Sequence, residues 1–195
     1  MNQPDPDRPQ ATQWTYGDVP TGSISTWICK LRRCLASQGQ SMEVPCGTCV
    51  ACCQHLHIDL EPDELTQGLA TQEVDGVKVL AKREDGSCVY LVQNQCQIYG
   101  QRPRTCRIFD CRGYLICGAF PGTHEGLRRA LERWRPEINS RQDQEIFIAL
   151  RLATQWALGQ GASAVAAVAT AVKGYEAWLG EARTIAKRMR DQGIK

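Results

Sequence analysis

Four thiols fall within eight residues, Cys46-Gly47-Thr48-Cys49-Val50-Ala51-Cys52-Cys53. The C-x-x-C spacing lets two sulfurs reach one metal, because a turn brings their side chains together. Gly47 allows the backbone to fold tightly around an ion and to aim N–H groups at sulfur. Cys52 can join the same centre. Neighbouring side chains diverge on a helix and on a strand, so Cys53 is expected to serve a different atom of one cluster, or a different metal. The second set is Cys88, Cys96, Cys106 and Cys111. Cys88 and Cys96 fall near opposite ends of a proposed hairpin, whose pairing would let them approach. Cys106 and Cys111 flank a basic turn. A zinc ion or an oxidised four-iron cluster held by four thiolates carries a double negative charge, which a partly desolvated site must offset with cations or N–H donors. Arg102, Arg104 and Arg107 are expected in that role, just outside the ligands, with Arg112 near them. The alternatives are a solvated arginine face or a site for an external phosphate or carboxylate.

Eight thiols can make two four-thiolate zinc sites, each contributing about 10–16 kcal/mol to folding. They can also hold one four-iron cluster with thiols to spare. The dense C-x-x-C-x-x-C triplet is reminiscent of ferredoxin-type ligation, whereas paired distant elements are also compatible with zinc. The reading leans to an iron–sulfur cluster over zinc. His55 and His57 alternate on one face of an expected strand. They are read as hydrogen-bonded histidines, with replacement of a thiol ligand as the alternative. His124 is expected on the surface or in a first helical turn. Cys29 and Cys34 are read as packing residues, and Cys117 stays ambiguous.

These motifs resemble the YkgJ-type cysteine-cluster family, also described as the CxxCxxCC zinc- or iron-chelating domain. Its first motif matches Cys46, Cys49, Cys52 and Cys53. Its second, of the form C-x-I-Y-x-x-R-P-x-x-C-R, matches Cys96, Ile98, Tyr99, Arg102, Pro103, Cys106 and Arg107. Cys88 and Cys111 fall where that pattern also has cysteines. The resemblance spans 46–111 and implies a metal-chelating domain with no settled reaction for most members. A flagellin lysine methylase has a similar cluster. The C-terminal section lies outside the motif and inherits nothing from it.

The composition agrees with cross-linking by metal. Eleven cysteines in 195 residues is high usage, and an odd number fits poorly with a closed disulfide framework. Phe is scarce, at three. Net charge is +2, too balanced to imply nucleic-acid binding. No uncharged apolar run approaches the length of a spanning helix. The Pro- and Asp-rich N-terminus has no basic start and no apolar stretch of the secretory kind, so a cytoplasmic setting with reduced thiols is expected.

The positioning elements are read from periodicity. Residues 1–23 are read as a disordered or loosely packed arm. Ile24, Trp27, Ile28, Leu31 and Leu35 recur at helical spacing. Pro62 to Ala70 suggests a short helix, and Glu73 to Val79 a hairpin about Asp75-Gly76. A turn at Asp85-Gly86 then leads into 87–92, and Asn94-Gln95 returns the chain through 96–99, completing a small antiparallel meander. Leu127, Ala130, Leu131 and Trp134 predict a helix capped by Thr123 and ended by Pro136. Ser140 and Asp143 form a capping pair before a stripe of Ile146, Ala149, Leu150, Ala153, Trp156 and Ala157. A last helical stretch runs from Ala162 to Arg190, interrupted at Gly174 and Gly180.

The expected fold is α+β: an arm at 1–23, a cysteine-cluster metal-binding domain with a short β-meander at 24–121, and a helical subdomain at 122–195. The expected function is binding of an iron–sulfur cluster or zinc, structural or electron-carrying. One alternative is an iron–sulfur-dependent oxidoreductase or group-transfer enzyme, although no dinucleotide fingerprint, P-loop or nucleophile elbow is present. The other is a zinc-stabilised interaction protein that meets a protein partner through its basic C-terminal helices. Those helices carry Arg128, Arg129, Arg133, Arg135, Lys187, Arg188 and Arg190. Nucleic acid and membrane are not expected partners.

Overall fold

The computed structural model describes residues 19–37, 39–44, 49–64, 68–120, 122 and 125–194. In chain order the elements are β1 (Val19–Ser23), α1 (Ile24–Ala36), α2 (Ala51–His55), β2 (Thr71–Val74), β3 (Val77–Leu80), β4 (Leu91–Val92), β5 (Gln95–Cys96), a 3-10 turn at Tyr99–Gln101, α3 (Arg104–Ile108), α4 (Arg112–Cys117), α5 (Glu125–Glu132), β6 (Trp134–Glu137), α6 (Arg141–Gly159), α7 (Ala164–Gly174), a 3-10 turn at Tyr175–Trp178 and α8 (Leu179–Asp191). The fold is α+β with a helical C-terminal part. Among the described residues the chain divides into two compact units, one spanning 37–110 and the other joining 19–36 to 111–194. The first helix therefore groups with the C-terminal helices.

In the helical unit, α6 packs against α7, α8 and α1. Ile146, Ala149, Leu150, Ala153 and Ala157 supply its buried stripe. Trp156, expected in that stripe, is 52% exposed and tilts against Trp178 instead, with ring centroids 6.4 Å apart. Ala167, Ala171, Ala182 and Ala186 are fully buried. Their small side chains let α7 and α8 approach α6 closely. On α1 the inward face is Ile24, Trp27, Ile28, Leu31 and Cys34, so Cys34 takes the core position expected of Leu35. Cys29 is exposed, not packed.

Two expectations fail here for a shared reason. Val19–Ser23, read as part of the arm, is a strand, and Trp134, read as helical, begins the strand with which it pairs in parallel. Pro136 has no N–H to continue a helix and disfavours helical geometry at Arg135. The extended segment that results buries Val19, Thr21 and Trp134. Sequence periodicity cannot see such a pairing between residues more than a hundred positions apart. Ser140 caps α6 as expected, its Oγ accepting from the Asp143 N–H at 3.0 Å. The expected cap at Thr123 lies outside the described residues. The last helical stretch breaks at Gly174 as expected, whereas Gly180 is carried within α8.

The cysteine-bearing unit is built of short pieces. β2 and β3 form the expected hairpin, with Asp75 and Gly76 at φ of 51° and 78°. The meander does not extend further as one sheet. β4 and β5 form a separate two-residue hairpin about Gln93 and Asn94, both at positive φ. Tyr99, expected to end a strand, begins a 3-10 turn that runs to Gln101. Among the described residues of the expected 62–70 helix, Pro62 and Asp63 form a turn and Glu64 is 3-10. The buried apolar residues of this unit are few: Met42, Ala51, Ile58, Val79, Leu80, Leu91 and Pro103 among those described.

Candidate metal centre

Four local structures bring thiols together in the 37–110 unit. α2 comes directly after Cys49 and Val50 and carries Cys52 and Cys53, whose side chains leave the helix in different directions. The Cys53 carbonyl accepts from the Cys88 N–H at 2.8 Å, which ties the end of α2 to the segment after the Asp85-Gly86 turn. That turn is itself fixed. Gly86 has a φ of 80°, and the Asp85 carboxylate accepts from the Ser87 N–H at 2.8 Å and from its hydroxyl at 2.6 Å. Those hydrogen bonds from Ser87 hold the Asp85 pKa below its usual value. Arg83 then clamps the segment beyond the turn, donating to the carbonyls of Leu91 at 2.6 Å and Val89 at 2.7 Å. Cys96 pairs with Leu91 across the small hairpin, and Cys106 stands in the middle of α3.

The electrostatics show which thiols are neighbours. Burial pushes the Cys106 thiol up to about 12, and Cys53, Cys96 and Cys88 add to the rise. Burial likewise pushes Cys53 up to about 11, with Cys96, Cys88 and Cys49 adding to it. Cys88 and Cys96 thus act on both the Cys53 and the Cys106 thiols, and Cys49 acts on Cys53. Arg102 opposes the rise at both Cys53 and Cys106. Its guanidinium lies 3.6 Å over the Tyr99 ring, and its Nε donates to the Tyr99 carbonyl at 2.8 Å. Lys82, which sequence reasoning missed, is a second cation here. Burial lowers its pKa, and the Cys88 and Cys53 thiols oppose that shift. Its Nζ donates to the Gln54 carbonyl at 3.3 Å. The signal lay in its register, since Lys82 bridges Cys88 directly across the turn.

The remaining expected residues are distributed differently. Arg104 pairs with Glu61 at 3.2 Å, and its backbone N–H donates to Glu64 at 2.5 Å. Arg107 shares a cavity with Arg102 and Arg104. Cys111 belongs to the helical unit, where it is buried at the N-terminal boundary of α4. Cys46 lies outside the described residues, as does His124. His55 ends α2 and is not on a strand, while His57 beyond it is exposed. Cys117 is a core residue of the helical unit, its thiol pushed up to about 12 by burial. Among the described residues no group of three or more His, Cys, Asp or Glu side chains forms a ready ion-binding set. The donor chemistry nevertheless fits a soft metal, because sulfur ligands suit such ions and thiols stand near one another and near cations in a partly desolvated place.

Residues 45–129 match the CxxCxxCC family, described as "Putative zinc- or iron-chelating domain". This supports metal binding and is consistent with zinc or iron. The CxxCxxCC match covers the thiol group of the first unit and continues through α4 into α5 of the second, further than the cysteine motifs themselves reach. No curated protein and no solved structure matches the chain. Among the described residues no helix is long and apolar enough to cross a membrane.

Proposed function

We propose that the cysteine-bearing unit holds a single polynuclear thiolate centre, an iron–sulfur cluster, and that the protein is a structural or electron-transfer metal-binding protein. The observation that carries this reading is the convergence of Cys53, Cys88, Cys96 and Cys106, with Cys49 beside them. One group of five thiols favours one multi-metal centre over two separate mononuclear zinc sites. Cys46 would complete the C-x-x-C pair with Cys49, and Cys52 is a further candidate ligand of the same unit. An iron–sulfur cluster, when bound, supplies one-electron transfer. Arg102 and Lys82 would offset its negative charge, and the raised thiols would release protons as metal binds. No disulfide joins the ten described cysteines, and the reading keeps these thiols reduced, as in a cytoplasmic setting.

The test is anaerobic purification followed by visible absorption and analysis of iron, sulfide and zinc. Stoichiometric iron and sulfide with charge-transfer absorption is the expected result. A colourless protein with stoichiometric zinc would overturn the iron–sulfur assignment, and a protein that retains neither metal would overturn chelation itself.

A further inference from the structure

Beside the thiol group, within the same unit, lies a cavity of about 360 Å³ whose charged wall is Glu61, Asp63, Glu64, Arg102, Arg104 and Arg107. Among the described residues Leu69 is its one large apolar side chain. This volume is at the small end of the range for small-molecule sites, about 300–1,000 Å³. The formal charges balance, but they are not equally committed. Glu64 is 5% exposed, and its carboxylate accepts from two backbone N–H groups, those of Glu61 at 2.9 Å and Arg104 at 2.5 Å. Glu61 is engaged by the Arg104 guanidinium. Arg107 differs, because its Nε is buried and makes no hydrogen bond to the described protein. Among the described residues no carboxylate pairs with the Arg107 guanidinium, which lines the cavity, and an anionic oxygen there would supply that partner.

We propose that this cavity binds the oxyanion of a small molecule, a carboxylate or a phosphate, with Arg107 and Arg102 as its principal cationic contacts. Guanidinium groups suit both anions, because their planar donors match paired oxygens. Asp63 and Glu61 on the same wall disfavour a polyanion, which separates this site from a nucleic-acid surface. Arg102 belongs both to the cavity wall and to the surroundings of Cys53 and Cys106. A bound anion would therefore lie next to the thiol group. The proposal stands whichever metal occupies that group.

Equilibrium dialysis of the full-length, metal-loaded protein against radiolabelled inorganic phosphate, and separately acetate, at constant ionic strength, tests it. Saturable single-site binding of at least one probe is expected, and the probe that saturates identifies the anion class. Arg107→Gln should weaken that binding by about tenfold or more, as expected for loss of a charge-assisted contact. Asp63→Asn, which removes a carboxylate from the wall, should strengthen it by about two- to threefold. Metal content is measured alongside. If Arg107→Gln also loses metal, Asp63→Asn decides, since it must tighten binding with metal content unchanged. Absence of saturable binding for both probes, or wild-type affinity in both variants, would overturn the proposal. Neither result bears on whether the thiols hold metal.

Discussion

Asp143 joins the start of α1 to the start of α6, and its replacement should have a cost that depends on pH in a calculable way. The carboxylate is 1% exposed. One oxygen accepts from the Ser23 hydroxyl and the Ser25 N–H, both at 2.8 Å. The other accepts from the Ser140 hydroxyl at 2.8 Å and the Asn139 N–H at 3.2 Å. Burial alone would raise its pKa, but the donors together outweigh burial and bring it from 3.8 to about 2. That difference is worth roughly 2.5 kcal/mol of stability. Because the folded value is the lower one, the contribution is fully present above the unfolded value and is lost as pH falls through about 2. Asn is close in shape to a protonated Asp, so Asp143→Asn should reproduce the acid state at every pH. Urea unfolding followed by tryptophan fluorescence reads the helical unit, which holds Trp27, Trp134, Trp156 and Trp178. The stability gap between wild type and variant should be roughly 2.5 kcal/mol near neutrality and shrink to about 1.3 kcal/mol near pH 3. A gap that stays constant across this range, or no gap near neutrality, would refute the account of Asp143 as a satisfied buried carboxylate.

Cys53→Ser and Cys106→Ser should each lower bound metal per chain, while Cys29→Ser leaves it unchanged; elemental analysis of purified variants distinguishes them, and equal metal in all three would sink the ligand grouping. In the metal-free protein at mildly alkaline pH, iodoacetamide should label exposed Cys29 well before Cys53 and Cys106, whose thiols burial pushes up to about 11 and about 12. Mass mapping of labelled peptides reads the order, and early labelling of Cys106 would contradict its burial. Gly118 closes α4 at a φ of 72°, and an added Cβ would stand 3.3 Å from the Arg151 Nη1. Gly118→Ala should therefore cost roughly 1–2 kcal/mol, chiefly from the left-handed backbone, and unfolding curves identical to wild type would contradict that conformation.

The legible parts of this protein are those whose cause is local. The hairpin at Asp75-Gly76 needs positive φ at both turn positions, and its residues announce that need. The helix of Ile24 to Ala36 follows from its apolar spacing, and the Ser140 cap from a hydroxyl placed before Asp143. The cysteine motifs pick out thiols by spacing, and Cys53, Cys88 and Cys96 all act on the Cys106 thiol. The illegible parts depend on distance. Nothing near Val19 or Trp134 announces that they will pair. Glu61, Glu64 and Arg104 are ordinary charges until a turn and a short helix bring them together. Arg102 and Arg104 look equivalent in sequence, yet one acts on thiols and the other on a glutamate. Lys82 escapes a reading by spacing because its relation to Cys88 is one of strand register.

The connectivity of the two units has a consequence for how the chain is made. The helical unit is interrupted: α1 ends at Ala36, and the unit resumes only at Cys111. During synthesis β1 and α1 emerge first, but their partners β6 and α6 are translated only after every cysteine in the intervening 37–110 segment. The thiols can thus meet metal while the helical core is still unable to close. Closing that core through a disordered intervening segment costs more than closing it through a compact one. The difference is on the order of 1 kcal/mol, since the cost grows only with the logarithm of loop length. Metal supply would then favour closure of the helices by shortening the loose chain that their closure must span.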